Sequence, residues 1–358
     1  MFIRLALLAV PGLFPAHAES LVVTDSLDRV VSMPRPPQRI VVAGKASFML
    51  ADALHLFPEA RARMAARATG MLARAGAGDF LELITGKDSA TPVLPGNASL
   101  ETLAALRPDA VLLKSFNTRL GEELQRLGIP VLYLDFETPD QYGRDLSTLG
   151  RVLDAPDRAR ALADYYHNLS ERVARGTAAL PDAERPRTLL LQYAELSGAV
   201  AFSVPPATWM QTRLVEMAGG QPIWKKATGG GGWTVVNLEQ IAAWDPDCVF
   251  VVNYAAPSTR ALEAIAADAT WQNLRAFREG RIHAVPGDFY SWDQPDTRWG
   301  LGLLWLATRL HPHQFRDVDL ENELLRFYAL YGLDEAMVRK TVRPLIHEPL
   351  APVTHRYK

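Results

Sequence analysis

The sequence predicts an α/β protein of two Rossmann-like lobes joined by a long spanning helix. Three observations carry this reading. Short apolar strands alternate with amphipathic helices along most of the chain, the pattern of a mostly parallel sheet covered by helices. One helix–turn–strand unit occurs twice. Ser99-Leu100-Glu101-Thr102-Leu103-Ala104-Ala105-Leu106-Arg107-Pro108-Asp109-Ala110-Val111 matches Asn237-Leu238-Glu239-Gln240-Ile241-Ala242-Ala243-Trp244-Asp245-Pro246-Asp247-Cys248-Val249. Two copies do not make a solenoid; they make two similar lobes. Between the copies lies residues 140–178, read as helix. Its apolar stripes are Leu146, Leu149, Val152 and Leu153, then Leu162, Tyr165, Tyr166, Leu169 and Val173. Asp154-Ala155-Pro156 separates the two segments, and Pro156 suits the first turn of the second. An uninterrupted helix of about 20 residues spans about 30 Å, the width of a small domain.

Taken in order, residues 1–18 read as a signal peptide. Met1–Arg4 is a short basic start, Leu5–Phe14 is apolar, and Ala16-His17-Ala18 offers the small residues that signal peptidase needs. Cleavage after Ala18 exports the mature chain to the periplasm. The first lobe is expected over 19–139. It opens with two strands, Val22–Thr24 and Arg29–Val31, followed by strand Arg39–Ala43, a helix from Ser47 to Leu56 and a loop from Gly70 to Gly78. The first copy of the repeat follows, then helix Leu120–Leu127 and strand Val131–Leu134. The second lobe is expected over 179–358. Strand Thr188–Gln192 leads into a Gly-, Pro- and Ser-containing segment, Glu195–Pro206, read as a loop. Helix Trp209–Ala218, a glycine run at Gly229–Gly232, the second repeat copy, helix Trp271–Phe277, strand Arg281–Val285 and the apolar helix Trp299–Arg309 complete it.

Composition removes several function classes. A net charge of −2 gives no electrostatic footprint for nucleic acid or an anionic membrane. The one cysteine, Cys248, has no partner for an intramolecular disulfide and sits in the apolar run Cys248–Val252 as a small core residue. Gly229–Gly232 is not followed by Gly-Lys-Ser/Thr and is no phosphate loop. His311-Pro312-His313 lacks the spacing of a zinc helix pair. No nucleophile elbow or Cys/His pairing appears, so the reading is a non-enzyme with no cofactor and no resident metal.

The order and spacing of these pieces resemble the solute-binding proteins of iron-siderophore and vitamin B12 ABC importers, the class III periplasmic binding proteins. The pieces are Asp28-Arg29-Val30-Val31 followed by Pro37-Gln38-Arg39-Ile40-Val41, the Pro108-Asp109 and Pro246-Asp247 units, Leu127–Val131, the spanning helix, Trp271–Leu274, Arg281–Pro286 and Trp292–Trp305. The lead-in departs from the family in having Asp28 where glycine is usual before the arginine. The resemblance implies a ligand cleft between two lobes hinged by a rigid helix. It also implies a partnership with an ABC importer permease and its ATPase, and gives Glu101 and Glu239, the same position in each copy, the role of meeting arginines of the permease. Alone, each is equally a first-turn glutamate favoured by its helix dipole.

Ligand-contacting candidates follow from strand ends and aromatic loops. They are Lys45, Ser47, Phe116, Asn117 and Glu137 from the first lobe, and Tyr193, Trp209, Trp233, Tyr254, Tyr290, Trp292 and Arg298 from the second. Lys114 ends a strand beside them. Aromatic faces with one or two cations suit a flat, anionic or chelated ligand. The expected cargo is a metal chelate, foremost a ferric siderophore. A corrinoid, haem or a molybdate/tungstate-type oxyanion are the alternatives within the carrier class, and an exported cleft enzyme is the rival outside it. The protein is expected to act as a monomer.

Overall fold

The computed structural model describes residues 20–68, 80–86, 91–196 and 199–350. The expected leader and the Gly70–Gly78 loop lie outside the described residues. A hairpin of β1 (Leu21–Thr24) and β2 (Val30–Met33) precedes the first sheet. That sheet contains β3 (Ile40–Val42), β4 (Met64–Ala68), β5 (Val93–Leu94), β6 (Ala110–Lys114) and β7 (Val131–Leu134). Their order is β5-β4-β3-β6-β7, and every pairing is parallel. All residues of β3, β6 and β7 are buried, as in a parallel sheet covered on both faces. Strand β4 is rich in alanine, a helix former; its pairing to β3 overrides that local preference.

The second sheet contains β8 (Arg187–Leu196), β9 (Ala199–Val204), β10 (Gln221–Pro222), β11 (Thr234–Val236), β12 (Cys248–Val252) and β13 (Ile282–Ala284). Its path is β11-β9-β8-β12-β13, with β10 beside β8. β8, β12 and β13 are parallel, whereas β9 and β11 run antiparallel to their neighbours. The segment 195–206 is therefore not the loop its composition suggests. β8 extends to Leu196 and returns as β9, where Phe202 and Val204 enter the core. Pro205 and Pro206 mark only where that hairpin ends.

The repeat has a physical cause. In the first copy the Arg39 backbone N–H donates to Asp109 Oδ1 (2.7 Å), and the Arg39 guanidinium donates to the carbonyls of Leu106 (2.8 Å) and Arg107 (3.3 Å). In the second, the Arg187 backbone N–H donates to Asp247 Oδ2 (2.7 Å), and its guanidinium donates to Trp244 and Asp245 carbonyls. Each arginine opens the strand beside the repeat strand and closes the preceding helix through its unpaired C-terminal carbonyls. Arg107 and Asp245 occupy the same left-handed turn position, at φ 47° and 42°.

The stretch 140–178 is two helices that double back on each other, not one rod. Pro139–Val152 and Pro156–Thr177 turn at Asp154-Ala155. Tyr142 and Tyr166 meet with tilted rings at 5.3 Å, and a Cβ on Gly150 would lie 2.4 Å from that of Ala159. The second helix does the spanning; its 22 residues are about 33 Å long. Near its start Arg158 donates to the Leu56 carbonyl (2.9 Å), and at its end Thr177 packs against Gly219 of the other half.

Where the two halves meet, Arg298 is wholly buried among carboxylates. Its Nε lies 2.5 Å from Asp288, and its Nη1 lies 3.1 Å from Asp52 and 3.8 Å from Asp296. Its guanidinium covers the rings of Phe80 (4.3 Å) and Tyr290 (5.0 Å). Asp52 sits on helix Ser47–His55 of the first half, so the ion cluster crosses the junction. Behind it, every residue of helix Trp299–Leu310 is buried. Gly302 lets that helix approach the Trp292 carbonyl, which a Cβ would meet at 2.1 Å.

Arg298→Met strands buried carboxylates without a cation and should cost about 3–5 kcal/mol in thermal or denaturant unfolding. Asp296→Asn should do the opposite at alkaline pH. Burial pushes the Asp296 carboxyl well above the carboxylate range, against the pull of Arg298. Its contribution to stability is thus complete below the unfolded value of about 4 and falls as pH rises through the folded value. The asparagine should raise the melting temperature near pH 8 and flatten that part of the pH–stability curve.

Candidate functional site

In open α/β sheets the strand ends that carry the chain outward converge on the ligand crevice. Here the ends of β6 and β7 face the end of β8 and the segment after β12. A cavity of about 260 Å³ lies between them. Met49 and Glu137 line it from the first half, and Gln192, Trp209, Gln211, Trp233, Tyr254 and Gln294 from the second, with Met210 and Pro295 at its edges. A larger groove of about 850 Å³ runs along the spanning helix. It holds no strand ends, and its Arg213 is already paired with Glu216 (3.2 Å). The smaller cavity is the better candidate on topology.

Glu137 is aimed by a strained turn. Phe136 has φ 50°, an unfavourable value for a residue with a side chain. Asp145 compensates: its Oδ2 accepts the backbone N–H groups of Asp135 (2.7 Å) and Phe136 (2.9 Å). Arg144 in turn pairs with Asp135 and Asp145, both at 2.8 Å. The Glu137 carboxylate meets Lys114 Nζ at 2.5 Å. Lys114 is fully buried and also donates to the Asp135 carbonyl. Burial lowers its pKa, and the Glu137 charge opposes that shift.

The opposite wall is aromatic and rich in amides. Trp209 and Trp233 meet edge to face at 5.8 Å, and Trp233 meets Tyr254 at 6.0 Å. Gln211 Nε2 donates to the Tyr254 hydroxyl (3.3 Å), which donates to Asp293 Oδ2 (2.6 Å). Burial and the Asp293 charge push the Tyr254 hydroxyl well above its ordinary value, so it stays a donor. Burial also raises Asp293, whose other oxygen accepts from Ser291 (2.5 Å). Gln211 Oε1 and both polar atoms of Gln294 are buried without a hydrogen-bond partner. Such groups are costly unless something polar arrives to satisfy them. Among the described residues the lining contains no Lys, Arg or His.

Of the sequence candidates, the fold brings Glu137, Trp209, Trp233 and Tyr254 together around this cavity. Others go elsewhere. Tyr193 turns to the opposite face of β8 and donates to Glu195 (2.7 Å), because side chains alternate along a strand and Gln192 takes the cleft side. Tyr290 is buried against Phe48 (5.1 Å), and Trp292 donates its indole N–H to Asp288 (3.1 Å). Arg298 is consumed by the ion cluster. None of these four lines the cavity. Asn117 knits two loops, accepting from the Lys45 N–H (3.1 Å) and donating to the Lys45 carbonyl (3.2 Å). Ser47 is buried, Phe116 is 54% exposed, and neither they nor Lys45 line the cavity. Gln192, Gln211 and Gln294 were not candidates. Gln192 carries a readable signal, a polar side chain ending the apolar run Leu189–Leu191.

Glu101 and Glu239 are both exposed in the first turn of their helices. The helices are capped alike: Ser99 Oγ accepts from Thr102 N–H (3.3 Å), and Asn237 Oδ1 from Gln240 N–H (2.8 Å).

A family model described as periplasmic binding protein matches residues 90–288. The chain belongs to the periplasmic binding protein family. It is 24% identical over 339 residues to the molybdate-binding protein MolA of Haemophilus influenzae, covering 89% of this chain and 92% of that one. It is 24% identical over 214 residues to a vitamin B12-binding protein of Pectobacterium atrosepticum, 57% of this chain and 75% of that one. Among solved structures, a periplasmic solute-binding protein from Veillonella parvula superposes with TM-score 0.71 at 23% identity, covering 90% and 97% of the two chains. MolA bound to molybdate gives 0.70 at 19% identity, covering 87% and 98%. This periplasmic binding protein thus has the two-lobed α/β fold of its neighbours and the role of a substrate-binding component of an ABC transporter.

The Lys114–Glu137 pair yields a test within the binding protein itself. Glu137→Gln leaves a buried ammonium without its counter-charge and should cost about 1–3 kcal/mol in denaturant unfolding. Adding Lys114→Met should recover most of that loss, so the double-mutant cycle should report strong coupling.

Proposed function

We propose that this binding protein captures a compact, uncharged or cationic metal chelate in the periplasm and delivers it to an ABC importer. The ferric siderophore class is the foremost cargo. The observation that carries the reading is the cavity's chemistry. Two tryptophans and a tyrosine offer faces for stacking, and amide atoms of Gln211 and Gln294 lack partners. A chelate that presents carbonyl and N–H edges around an apolar body answers both features. A second reading, carriage of a molybdate- or tungstate-type oxyanion, is favoured by the long match to MolA and by the small volume. Against it stand the absence of basic side chains among the described lining residues and the presence of the Glu137 carboxylate. Corrinoid and haem cargo remain alternatives within the same carrier class. The reading gives the protein no catalytic role; turnover of a substrate in the cleft would contradict it.

The partner on this reading is the importer's permease with its ATPase. Glu101 and Glu239 present one carboxylate on each lobe, where surface charge sets orientation and encounter rate more than affinity. Cleavage after Ala18 frees the mature protein, which works as a monomer.

Trp209 and Trp233 make tryptophan fluorescence a direct reporter of occupancy. Titration with a neutral ferric trihydroxamate should quench it, and Trp233→Ala should weaken that binding by roughly tenfold, about the energy of one stacked aromatic contact. Quenching by molybdate alone would overturn the chelate reading in favour of the oxyanion. The Glu101→Ala, Glu239→Ala double variant should bind the chelate unchanged and lose uptake.

A further inference from the structure

Behind the amide-rich wall of the cavity, three side chains form a hydrogen-bond chain with a fixed direction. Gln211 lies in helix Met210–Met217, Tyr254 follows β12, and Asp293 belongs to the loop 288–298. Asp293 is buried, and both of its oxygens are taken: Ser291 donates to Oδ1 at 2.5 Å and Tyr254 to Oδ2 at 2.6 Å. A carboxylate only accepts, so the Tyr254 hydroxyl must direct its single hydrogen there. Its oxygen is left as an acceptor, and the group that meets it at 3.3 Å is Nε2 of Gln211. The amide is thereby turned one way. Its nitrogen faces Tyr254, and the atom left to meet a solute is Oε1, which is buried without a partner. Gln211 is 4% exposed and lines the cavity. From the first half the cavity receives Glu137, whose carboxylate also accepts.

We infer that Asp293 is a positioning residue: through Tyr254 it fixes the Gln211 amide with its oxygen toward the solute, so that the cavity selects a cargo presenting an N–H or O–H donor to Gln211 Oε1. The inference rests on the chelate reading and narrows it to chelates that carry such a donor, for example a secondary amide. An amide presents either its oxygen or its nitrogen after a half-turn about its last bond, with almost no change of shape. What the cavity demands of a solute is therefore decided by whatever holds the amide. For Gln211 that hold is the Asp293–Tyr254 pair. Gln294 is the contrast within the same cavity. Both polar atoms of its amide lack partners, so it can turn to suit a solute where Gln211 cannot. A solute with only acceptors, such as a fully deprotonated tetrahedral oxyanion, would set lone pairs against Gln211 Oε1 and against Glu137. A solute with an N–H group satisfies the buried oxygen, and one that lacks it leaves that oxygen unpaired.

The test uses two neutral ferric trihydroxamates of one backbone, the first with secondary amide N–H groups and the second with those nitrogens methylated. Their affinities for the mature protein are read from quenching of tryptophan fluorescence. The parent should bind the N–H chelate roughly tenfold more tightly than the methylated one. In Tyr254→Phe, and in Asp293→Leu, which keeps bulk but offers no acceptor, the amide is freed to turn and the ratio should fall to about one. A purely structural loss, or a steric effect of the methyl groups, would leave the ratio at its parent value in both variants and overturn the proposal. A ratio that falls in Tyr254→Phe but not in Asp293→Leu would take the orienting role from Asp293 and overturn it too. Should Asp293→Leu not fold, Tyr254→Phe carries the comparison, since it removes only the hydroxyl that joins Asp293 to Gln211. Equal binding of both chelates by the parent refutes the orientation of Gln211 and leaves the chelate reading standing. Binding of molybdate with neither chelate bound refutes the chelate reading itself, and this proposal with it.

Discussion

A guanidinium held out of water joins the two halves of this protein. Arg298 comes from the second half, Asp52 from a helix of the first, and the contact between them at 3.1 Å is fully buried. Removing such charges from water is expensive, and the cluster is tolerable because each member supplies what the others lack. Asp288 also accepts from the backbone N–H of Phe289 (2.6 Å), and Asp296 from that of Arg298 (2.7 Å). Tyr331 extends the junction by donating to Thr297 Oγ1 (2.7 Å) and to the Asp52 carbonyl (3.2 Å). Tyr166, on the spanning helix, donates to the Thr297 carbonyl (2.7 Å). The loop 288–298 is thereby fixed to both halves and to the helix between them. Its cleft-facing residues, Gln294 and Pro295, take their positions from that anchorage.

The same economy recurs in each lobe. An arginine at a strand start satisfies the carbonyls that a short helix leaves open, and the Pro-Asp aspartate returns a bond to that arginine's own N–H. This closure ties the C-terminal end of each repeat helix to its sheet, while Ser99 and Asn237 cap the first turns that carry Glu101 and Glu239. The twin signature in the sequence is the trace of a twin closure. The site glutamate is placed by a comparable device, since Asp145 holds the turn that bends Glu137 into the cleft.

The architecture was legible because its signals are local. Helical stripes, the Pro-Asp turns and buried runs such as Cys248–Val252 each act within a dozen residues. The antiparallel return of β9 was hidden by Pro205 and Pro206, and β4 by its alanines, because in both strands tertiary pairing outweighs local preference. The doubling back at Asp154-Ala155 was visible as a break but not as a reversal; its direction depends on Gly150 meeting Ala159. The cleft was legible only in part. Trp209, Trp233, Tyr254 and Glu137 sit where strand ends and loops suggested. Tyr290, Trp292 and Arg298 look identical in composition, yet pack inward, because the choice between core and cleft is made by partners such as Asp52 that lie far away in sequence. The glutamines carry too weak a sequence signal to stand out.

These constraints bear on how a carrier of this build can work. A wide opening of the lobes would draw Asp52 away from Arg298 and break the one charged contact of the cluster that crosses the junction, while Asp288 stays on the guanidinium; breaking such a buried contact is costly. A solute arriving in the cleft has little energy with which to reverse such a change, since it shifts an equilibrium only by its differential affinity for the two states. The motion that remains accessible is small: side-chain adjustment around Trp233 and Gln211, and slight bending about the helix Pro156–Thr177. Selectivity then rests on a largely preformed pocket. The closures at Arg39 and Arg187 tie each repeat helix to its sheet, so that each lobe responds to a small rotation at the junction as one unit.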